Sequence, residues 1–195
     1  MKELRIGCLV MAAGSASRFG GNKLAAEIDG KMLIEHALDA VPADEFARVT
    51  VVTQYDEVLV LAKKHGFEVL VNPFPEWGAS HTIKLGTEAM EDCDAILYQV
   101  ADQPLLRQES VRAEIEFFRQ HPESIVAMGH GGVRGNPCIF PARFFPELTA
   151  LTGDLGGSAV IRRHADELKL FDVSPNELED VDTPMALAAL RDTLV

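Results

Sequence analysis

Runs of apolar and β-branched residues alternate along the chain with segments of helical periodicity, and this alternation restricts the fold more than any other feature. Strands are predicted at residues 4–11, 49–53, 68–71, 95–100, 124–128, 138–140 and 168–173. Helices are predicted between them, at residues 32–41, 56–65, 80–91, 109–120, 159–165 and 184–194. Near-continuous apolar strands such as ILYQV suit a sheet covered on both faces. The pattern therefore predicts an α/β fold with a doubly wound, mainly parallel sheet.

The composition is that of an ordinary globular protein, with 47% hydrophobic and 25% charged residues in a chain of 195. This length favours one domain, residues 1–195. No apolar run approaches the ~20 residues that span a bilayer, so no membrane partner is expected. The three cysteines, Cys8, Cys93 and Cys138, form no CxxC pair and indicate neither a disulfide framework nor a zinc site. Together these features favour a cytoplasmic protein.

The formal net charge of −12 argues against nucleic acid as a partner, because binding a polyanion requires a basic surface. A small anionic substrate is compatible with this charge only where a few cations cluster locally. The candidate cations therefore have particular importance in this chain.

One stretch, residues 129–157, interrupts the alternation of strands and helices. It contains GHGGVRGNPCIFP and ends in TGDLGG, so it is rich in glycine and proline. We interpret it as an inserted, irregular hairpin region that extends over the carboxyl ends of the strands. It is the predicted region for a second substrate.

The loop after the first predicted strand, within LVMAAGSASRFGGNKLA at residues 9–25, is the first candidate for a ligand site. Ligands of open α/β sheets bind outside the carboxyl ends of the strands. The small residues allow backbone N–H groups to approach phosphate oxygens, and two cations follow. The candidates are Ala12, Ala13, Gly14 and Ser15 for the backbone contacts and Arg18 and Lys23 for the charges. An ordinary turn with two solvated cations is the alternative, since neither a P-loop nor a GxGxxG pattern fits.

Two carboxylates lie at positions suited to a metal ion. Asp102, in VADQP, directly follows the apolar strand at residues 95–100, and Asp182, in DVDTP, precedes a predicted helix start at Thr183 and Pro184. Magnesium typically binds one or two carboxylates together with phosphate oxygens and water. Turn and cap roles for these residues are the alternative.

Six motifs in order resemble those of the molybdopterin nucleotidyltransferases, a family of MobA-like NTP transferases: AAGSASRFGGNKL, VNPFPEWGASHTIKLG, VADQPLL, RGNPCIF, GDLGG and DVDTP. The resemblance implies a Rossmann-like nucleotidyltransferase fold. It also implies that Asp102 and Asp182 hold Mg²⁺ over the nucleotide phosphates, while Arg18 and Lys23 stabilise the charge of the transferring and leaving groups.

The reaction implied by this resemblance is transfer of a nucleoside monophosphate to the terminal phosphate of molybdopterin or its molybdenum-loaded form, with release of pyrophosphate. The AAG at residues 12–14 resembles the cytidylyl branch, whereas guanylyl-transferring relatives usually carry AGG, so CTP is the expected nucleotide. Asn72 and Thr82 are the expected base or ribose contacts, although relatives often have serine at the position of Thr82. The expected cations for the second substrate are Arg134, Arg162 and Arg163.

Three other functions stay open at this stage. One is a guanylyltransferase of the same family, and another is a sugar-phosphate nucleotidyltransferase of the wider superfamily, against which the sequence has no PK pair after the loop and no room for an extra sugar domain. The third function belongs to a different class, a nucleotide-binding chaperone for a molybdenum hydroxylase. The presence of both Asp102 and Asp182 favours an enzyme over a binding protein.

Overall fold

The computed structural model describes residues 4–14, 19 and 21–193. Its strands are β1 (Ile6–Ala12), β2 (Glu27–Ile28), β3 (Lys31–Met32), β4 (Arg48–Thr53), β5 (Glu68–Val71), β6 (Ala95–Val100), β7 (Ile125–His130), β8 (Val133–Pro141) and β9 (Leu168–Asp172). Its α-helices are α1 (Leu33–Asp39), α2 (Asp56–Lys64), α3 (Ala79–Ala89), α4 (Gln108–Gln120), α5 (Phe145–Thr149), α6 (Gly157–Arg163) and α7 (Pro184–Thr193). Short 3₁₀ helices include Lys23–Ala25, Pro75–Trp77 and Pro175–Leu178.

Seven strands form one sheet in the order β5-β4-β1-β6-β8-β7-β9. All neighbouring strands are parallel except for β8, which is antiparallel to both β6 and β7. The chain builds outward from β1 through β4 to β5 and then returns to place β6 on the other side of β1. The predicted α/β fold with a mainly parallel sheet is confirmed, and the reversal of strand order leaves a crevice at the carboxyl ends of β1 and β6.

Helices cover both faces of the sheet. One buried cluster joins the sheet to α1, α2 and α4, and it contains Val111, Ile115 and Phe118, which recur at helical spacing along α4. A second cluster joins the opposite face to α3, α5 and α6. A third holds Leu187 and Leu190 of α7 against Ile28 and Leu33. Within the part of the chain that the structure describes, no helix has the length and apolar character needed to cross a membrane.

The main difference from the sequence prediction concerns residues 129–157. β7 and β8 form a hairpin inside the main sheet, and β8 also pairs with β6, opposing Cys138 to Tyr98. The helix α5, which was not predicted, then follows at Phe145–Thr149. The sequence predicted only residues 138–140 of β8, because the start of this strand is rich in glycine and proline. In the structure this start pairs only with β7 and runs past the carboxyl end of β6. The two-residue strands β2 and β3 were likewise missed, because they are too short for a periodic pattern.

The side chain of Glu114, on α4, is fully buried in the core, which is unusual for an ionisable residue. Burial raises the pKa of its carboxyl well above the ordinary value of 4.5. The backbone amide of Met128 lies close by, outside full hydrogen-bonding geometry, and offsets only part of this shift. Glu114 is therefore protonated in the folded protein at a pH where an unfolded chain has lost the proton.

We expect the free energy of unfolding of Glu114→Gln, relative to that of the unchanged protein, to rise progressively as the pH increases above about 4.5. A raised folded-state pKa gives stability that is complete below the unfolded pKa and is lost as the pH rises through the folded pKa. Glutamine has no proton to lose, so the variant escapes this loss. Urea unfolding at a series of pH values measures the difference, with Glu116→Gln, exposed on the same helix, as the control. A difference that does not change with pH would contradict the prediction.

Candidate functional site

A cavity of about 300 Å³ opens at the carboxyl ends of β1 and β6. Seven of the residues predicted from the sequence line it: Ala12, Ala13, Gly14, Lys23, Thr82, Asp102 and Asp182. Ser15 and Arg18, two further predicted residues, lie outside the described part of the chain. The structure thus brings together residues that are up to 170 positions apart in sequence.

The loop after β1 is held by side chains at the end of β4 and just beyond it. Three consecutive residues donate to three consecutive loop carbonyls: Thr53 Oγ1 to Ala12 (3.0 Å), Gln54 Nε2 to Ala13 (2.8 Å) and Tyr55 Oη to Gly14 (2.9 Å). In a trans peptide the N–H points away from the carbonyl of the same plane. The amides of Ala13 and Gly14 therefore point away from β4, on the side where donors can meet a ligand. Sequence analysis missed this anchoring.

Lys23 begins a single 3₁₀ turn that closes the same loop. Asn22 caps this turn, because its Oδ1 accepts from the Leu24 amide at 3.1 Å, and its Nδ2 donates to Glu57 on α2 at 2.6 Å. Leu24 is buried in the core cluster of α1 and α2. These contacts fix the backbone from which Lys23 enters the cavity.

The Lys23 ammonium lies between the two predicted metal-binding carboxylates. Its Nζ donates to Asp102 Oδ2 at 2.6 Å and to Asp182 Oδ1 at 3.0 Å. Lys23 and Asp102 side chains are only 16% and 18% exposed, whereas that of Asp182 is 56% exposed. Burial alone would lower the pKa of Lys23, but the charges and hydrogen bonds of the two carboxylates raise it above the ordinary value. Lys23 therefore stays protonated and positively charged in this site.

Asp182 reaches Asp102 because two loops are tied together. The Val181 amide donates to the Asp102 carbonyl at 2.9 Å, and the Arg107 guanidinium bonds Glu177 at 2.7 Å. Burial would raise the pKa of Glu177, but hydrogen bonds from Arg107 and Ser110 lower it, so the carboxylate stays charged. After Asp182, Thr183 Oγ1 accepts from the Ala186 amide at 3.1 Å and caps α7, as the sequence predicted.

Asp180 adds to the negative charge of this region. Partial desolvation of its carboxyl, together with the Asp102 charge, raises the pKa of Asp180 to about 6, although the residue as a whole is exposed. Asp182 acts in the same direction, and the Gln103 side chain opposes it. Asp180 therefore adds to the negative charge near Asp102 and Asp182, although it makes no contact with Lys23 among the described residues.

The opposite side of the cavity includes Thr82 on α3. Asn72 is almost fully buried behind it, donating from Nδ2 to Thr82 Oγ1 at 3.2 Å and accepting from the Phe74 amide at 2.9 Å. In the described structure Asn72 therefore orients Thr82 and the following turn. A direct ligand contact by Asn72 stays a prediction.

Asp154, within the GDLGG motif, also lines the cavity, although the sequence did not identify it as a site residue. Its loop contacts the start of α3, where the Ser80 amide donates to the Gly153 carbonyl at 3.2 Å. Gly78 makes this approach possible, because a Cβ there would lie 2.5 Å from Asp154 Oδ1 and closer still to the Gly153 carbonyl. The motif was visible in the sequence, but its contact with α3 was not.

The three predicted second-substrate arginines do not line the cavity among the described residues. Arg134, on β8, donates to Ser158 Oγ at 2.8 Å. Arg162 and Arg163 are exposed on α6, and Arg163 pairs with Glu147 on α5 at 3.0 Å. Arg134 lies at the start of β8, which runs past the carboxyl end of β6.

The donor set suits a hard divalent cation. Oxygens of Asp102 and Asp182 both lie within 3.0 Å of the Lys23 nitrogen, so they already converge on one point. No group of three or more His, Cys, Asp or Glu side chains forms a metal cluster in the described ranges. Two converging carboxylates nevertheless match the number that Mg²⁺ takes from a protein when phosphate and water complete its shell.

Sequence comparison identifies a family. A model of the MobA-like NTP transferase domain matches residues 8–168. The purine catabolism protein PucB of Bacillus subtilis is 26% identical over 187 residues, which cover 89% of this chain and 90% of PucB. A probable molybdenum cofactor guanylyltransferase of Thermococcus sibiricus is 38% identical over 65 residues, 33% of each chain.

Solved structures have the same fold. Rv0371c of Mycobacterium tuberculosis superposes with a TM-score of 0.84 at 20% identity, covering 98% of this chain and 100% of that one. A second structure of Rv0371c, with a TM-score of 0.80, is a complex with manganese. At this level of identity the likeness shows the fold alone.

We expect Gly78→Ala to lower the free energy of unfolding by about 1–3 kcal/mol, because its backbone lies in a region almost restricted to glycine. Its φ is +84° and its ψ −174°, and the added methyl would meet backbone of the Asp154 loop. Urea unfolding measures the loss.

Gly66→Ala is the matched control, since its φ is +79° and nothing lies within 4 Å of an added Cβ. It retains the strain of a positive φ without the clash. An equal loss of stability in both variants would show that the Gly78–Asp154 contact does not matter.

Proposed function

Because the chain belongs to the MobA-like NTP transferase family, we propose that it transfers CMP from CTP to the terminal phosphate of a molybdopterin-type substrate. The supporting observation is the Lys23 ammonium, held between Asp102 and Asp182 beside the anchored loop. This arrangement offers backbone donors, a fixed cation and two converging carboxylates to a triphosphate.

The reaction requires little covalent chemistry from the protein. An oxygen of the substrate's phosphate monoester attacks the α-phosphorus, the bond from this phosphorus to the bridging oxygen breaks, and pyrophosphate leaves. The second pKa of a phosphate monoester is about 6, so the attacking oxygen is already deprotonated at neutral pH. The protein therefore acts by positioning the groups and stabilising their charge.

The side chains divide these tasks. The amides of Ala13 and Gly14 donate to phosphate oxygens, and Lys23 moves from the carboxylates to the triphosphate when the nucleotide binds. Arg18, outside the described residues, supplies a second positive charge on the same loop. Asp102 and Asp182, once released by Lys23, are the residues that would hold Mg²⁺. The ion, when bound, would neutralise charge on the phosphate oxygens.

The second substrate also needs positive charge for its own phosphate. We assign this role to Arg134 first, because its strand runs past the carboxyl end of β6, the strand that Asp102 follows. Arg162 and Arg163 stay secondary candidates, since both lie on α6 and Arg163 is already paired with Glu147. We further propose that the product serves a molybdenum hydroxylase.

A guanylyltransferase activity is the second candidate function. The relative from Thermococcus sibiricus carries this name and is 38% identical over a third of the chain. The AAG at residues 12–14 supports CTP instead. The choice of nucleotide is therefore the first measurement to make.

We expect CTP with magnesium to stabilise the protein against heat more than GTP, ATP or UTP does at equal concentration. A ligand at a hundredfold excess over its dissociation constant adds about 2.7 kcal/mol, so a tenfold difference in affinity is measurable. A thermal-shift screen with and without magnesium, followed by a pyrophosphate-release assay, makes the test. A larger magnesium-dependent shift with GTP would exclude the cytidylyl assignment.

We expect Asp102→Asn and Asp182→Asn each to reduce pyrophosphate release by at least about 100-fold, because either change removes half of the charge that attracts the metal. The double variant should be little worse than either single, since the groups act as one unit. Asp102→Asn should also lower the melting temperature more, because its pair with Lys23 is shielded while Asp182 is exposed.

Asp166→Asn, an exposed aspartate on the 3₁₀ helix Ala165–Glu167 and outside the cavity wall, is the matched control. It should leave both turnover and melting temperature unchanged. Mild and additive effects of the two site variants would refute the shared metal site.

A further inference from the structure

Two aromatic side chains are exposed beside the cavity. Phe74 is 42% exposed and Trp77 53% exposed, and no other aromatic side chain reaches this exposure in the described chain. Their rings stack, with centroids 4.3 Å apart and planes inclined by 12°. Contiguous exposed apolar surface is characteristic of interaction sites and ligand-binding grooves.

The backbone holds the pair in a fixed geometry. The 3₁₀ helix Pro75–Trp77 places residues three apart on the same side, and the Trp77 amide donates to the Phe74 carbonyl at 3.0 Å. Asn72 fixes the Phe74 backbone. The His81 ring meets Trp77 edge-on at 4.9 Å. The rings are therefore pre-organised, while more than half of the surface of Trp77 is exposed to solvent.

The pair continues the wall of the cavity. Pro75, between the two rings in sequence, lines the cavity, and so do Gly78 and Ala79 directly after Trp77. Asp154 lines it too and touches Gly78. Leu155, the next residue, is 46% exposed and adds apolar surface. This rim, formed by Phe74, Trp77, Asp154 and Leu155, is thus part of the same site.

Asp154 gives the rim a polar acceptor. It makes no hydrogen bond or ion pair with any described residue, unlike Asp102 and Asp182, which share Lys23. A carboxylate repels phosphate, so it does not suit the triphosphate end of a nucleotide. It suits a neutral group that donates protons, such as an amino group on a ring.

We propose that this rim binds a flat heteroaromatic ring that carries an amino group. The ring stacks on the Phe74–Trp77 pair, and its amino group donates to the Asp154 carboxylate. This inference rests on the proposed function, in which both substrates contain such a ring: the cytosine of CTP and the pterin of the acceptor. The chemistry is shared, and the experiment distinguishes the two sources.

Trp77 is the sole tryptophan of the chain, so all tryptophan emission reports on the rim. The protein is titrated with CTP, with UTP and with neopterin, a free pterin, in the presence of magnesium, and calorimetry gives each affinity. A saturable emission change with CTP assigns the ring to the nucleotide, and one with neopterin assigns it to the acceptor. Both results support the proposal.

Variants test each part of the rim. Phe74→Leu keeps the reporter and should weaken the ligand that changes the emission at least fivefold, as expected when a stacking ring is lost. Trp77→Leu should weaken it similarly by calorimetry, and Trp77→Phe should restore affinity to within twofold. Where CTP is the ligand, Asp154→Asn should reduce its preference over UTP at least fivefold, because an amide accepts or donates equally well. Val60→Ala, another exposed apolar residue, and Asp166→Asn are the matched controls.

Some results would overturn the proposal while leaving the nucleotidyltransferase intact. One is unchanged emission at CTP and neopterin concentrations where calorimetry detects binding. Another is full affinity in both Phe74→Leu and Trp77→Leu. A third is emission that depends on protein concentration without ligand, which would show a second copy covering the rings. Absence of pyrophosphate release with any nucleotide would instead refute the proposed function, since ring binding is measured without turnover.

Discussion

The contact of Lys23 with Asp102 and Asp182 joins three distant parts of the chain at one point. Each group alone would be costly in a partly buried site, because the ammonium loses water and two carboxylates repel each other. Together the opposite charges offset the lost hydration and the carboxylate repulsion, and the pKa of Lys23 rises despite its burial. The surrounding hydrogen bonds hold the three residues in place: Asn22 caps the turn that begins at Lys23, and the Val181 amide binds the carbonyl of Asp102.

This contact also explains how an acidic chain can accept an anionic substrate. The formal charge is −12, and the described part of the cavity wall contains one cation, Lys23, and three carboxylates, those of Asp102, Asp154 and Asp182. A triphosphate entering such a site displaces the ammonium from its partners only if another cation takes its place there. Metal and nucleotide would therefore bind together more strongly than either would alone. In the proposed function, the positive charge that the sequence lacks globally would be supplied where the phosphates bind.

The sequence predicted the parts of the site that follow from strand order. Ala13 and Asp102 each come directly after a buried parallel strand, and such strand ends meet at one edge of a sheet. The direction of β8 was not predictable in the same way, because its glycine- and proline-rich start has no strand periodicity. Tyr55 and Asp154 were missed for another reason. Their roles depend on contacts with Gly14 and Gly78, which are far away in the chain, and nothing in their own neighbourhood encodes them.

The cavity has a part with a well-anchored backbone, the loop after β1 with Lys23, and a part formed by exposed side chains, the rim of Phe74, Trp77, Asp154 and Leu155. In the proposed reaction, the phosphate contacts come from backbone amides of a loop held through its carbonyls and from Lys23, whose backbone is held by the buried Leu24, so side-chain changes at the rim would leave this backbone in place. In the proposed ring site, the contacts come from exposed side chains on a short turn and an adjoining loop, which approach each other at Gly78. Substitution at Phe74, Trp77 or Asp154 would therefore alter ring binding without disturbing the contacts of Lys23. A family with one fold and one reaction can in this way differ in the rings that its members bind.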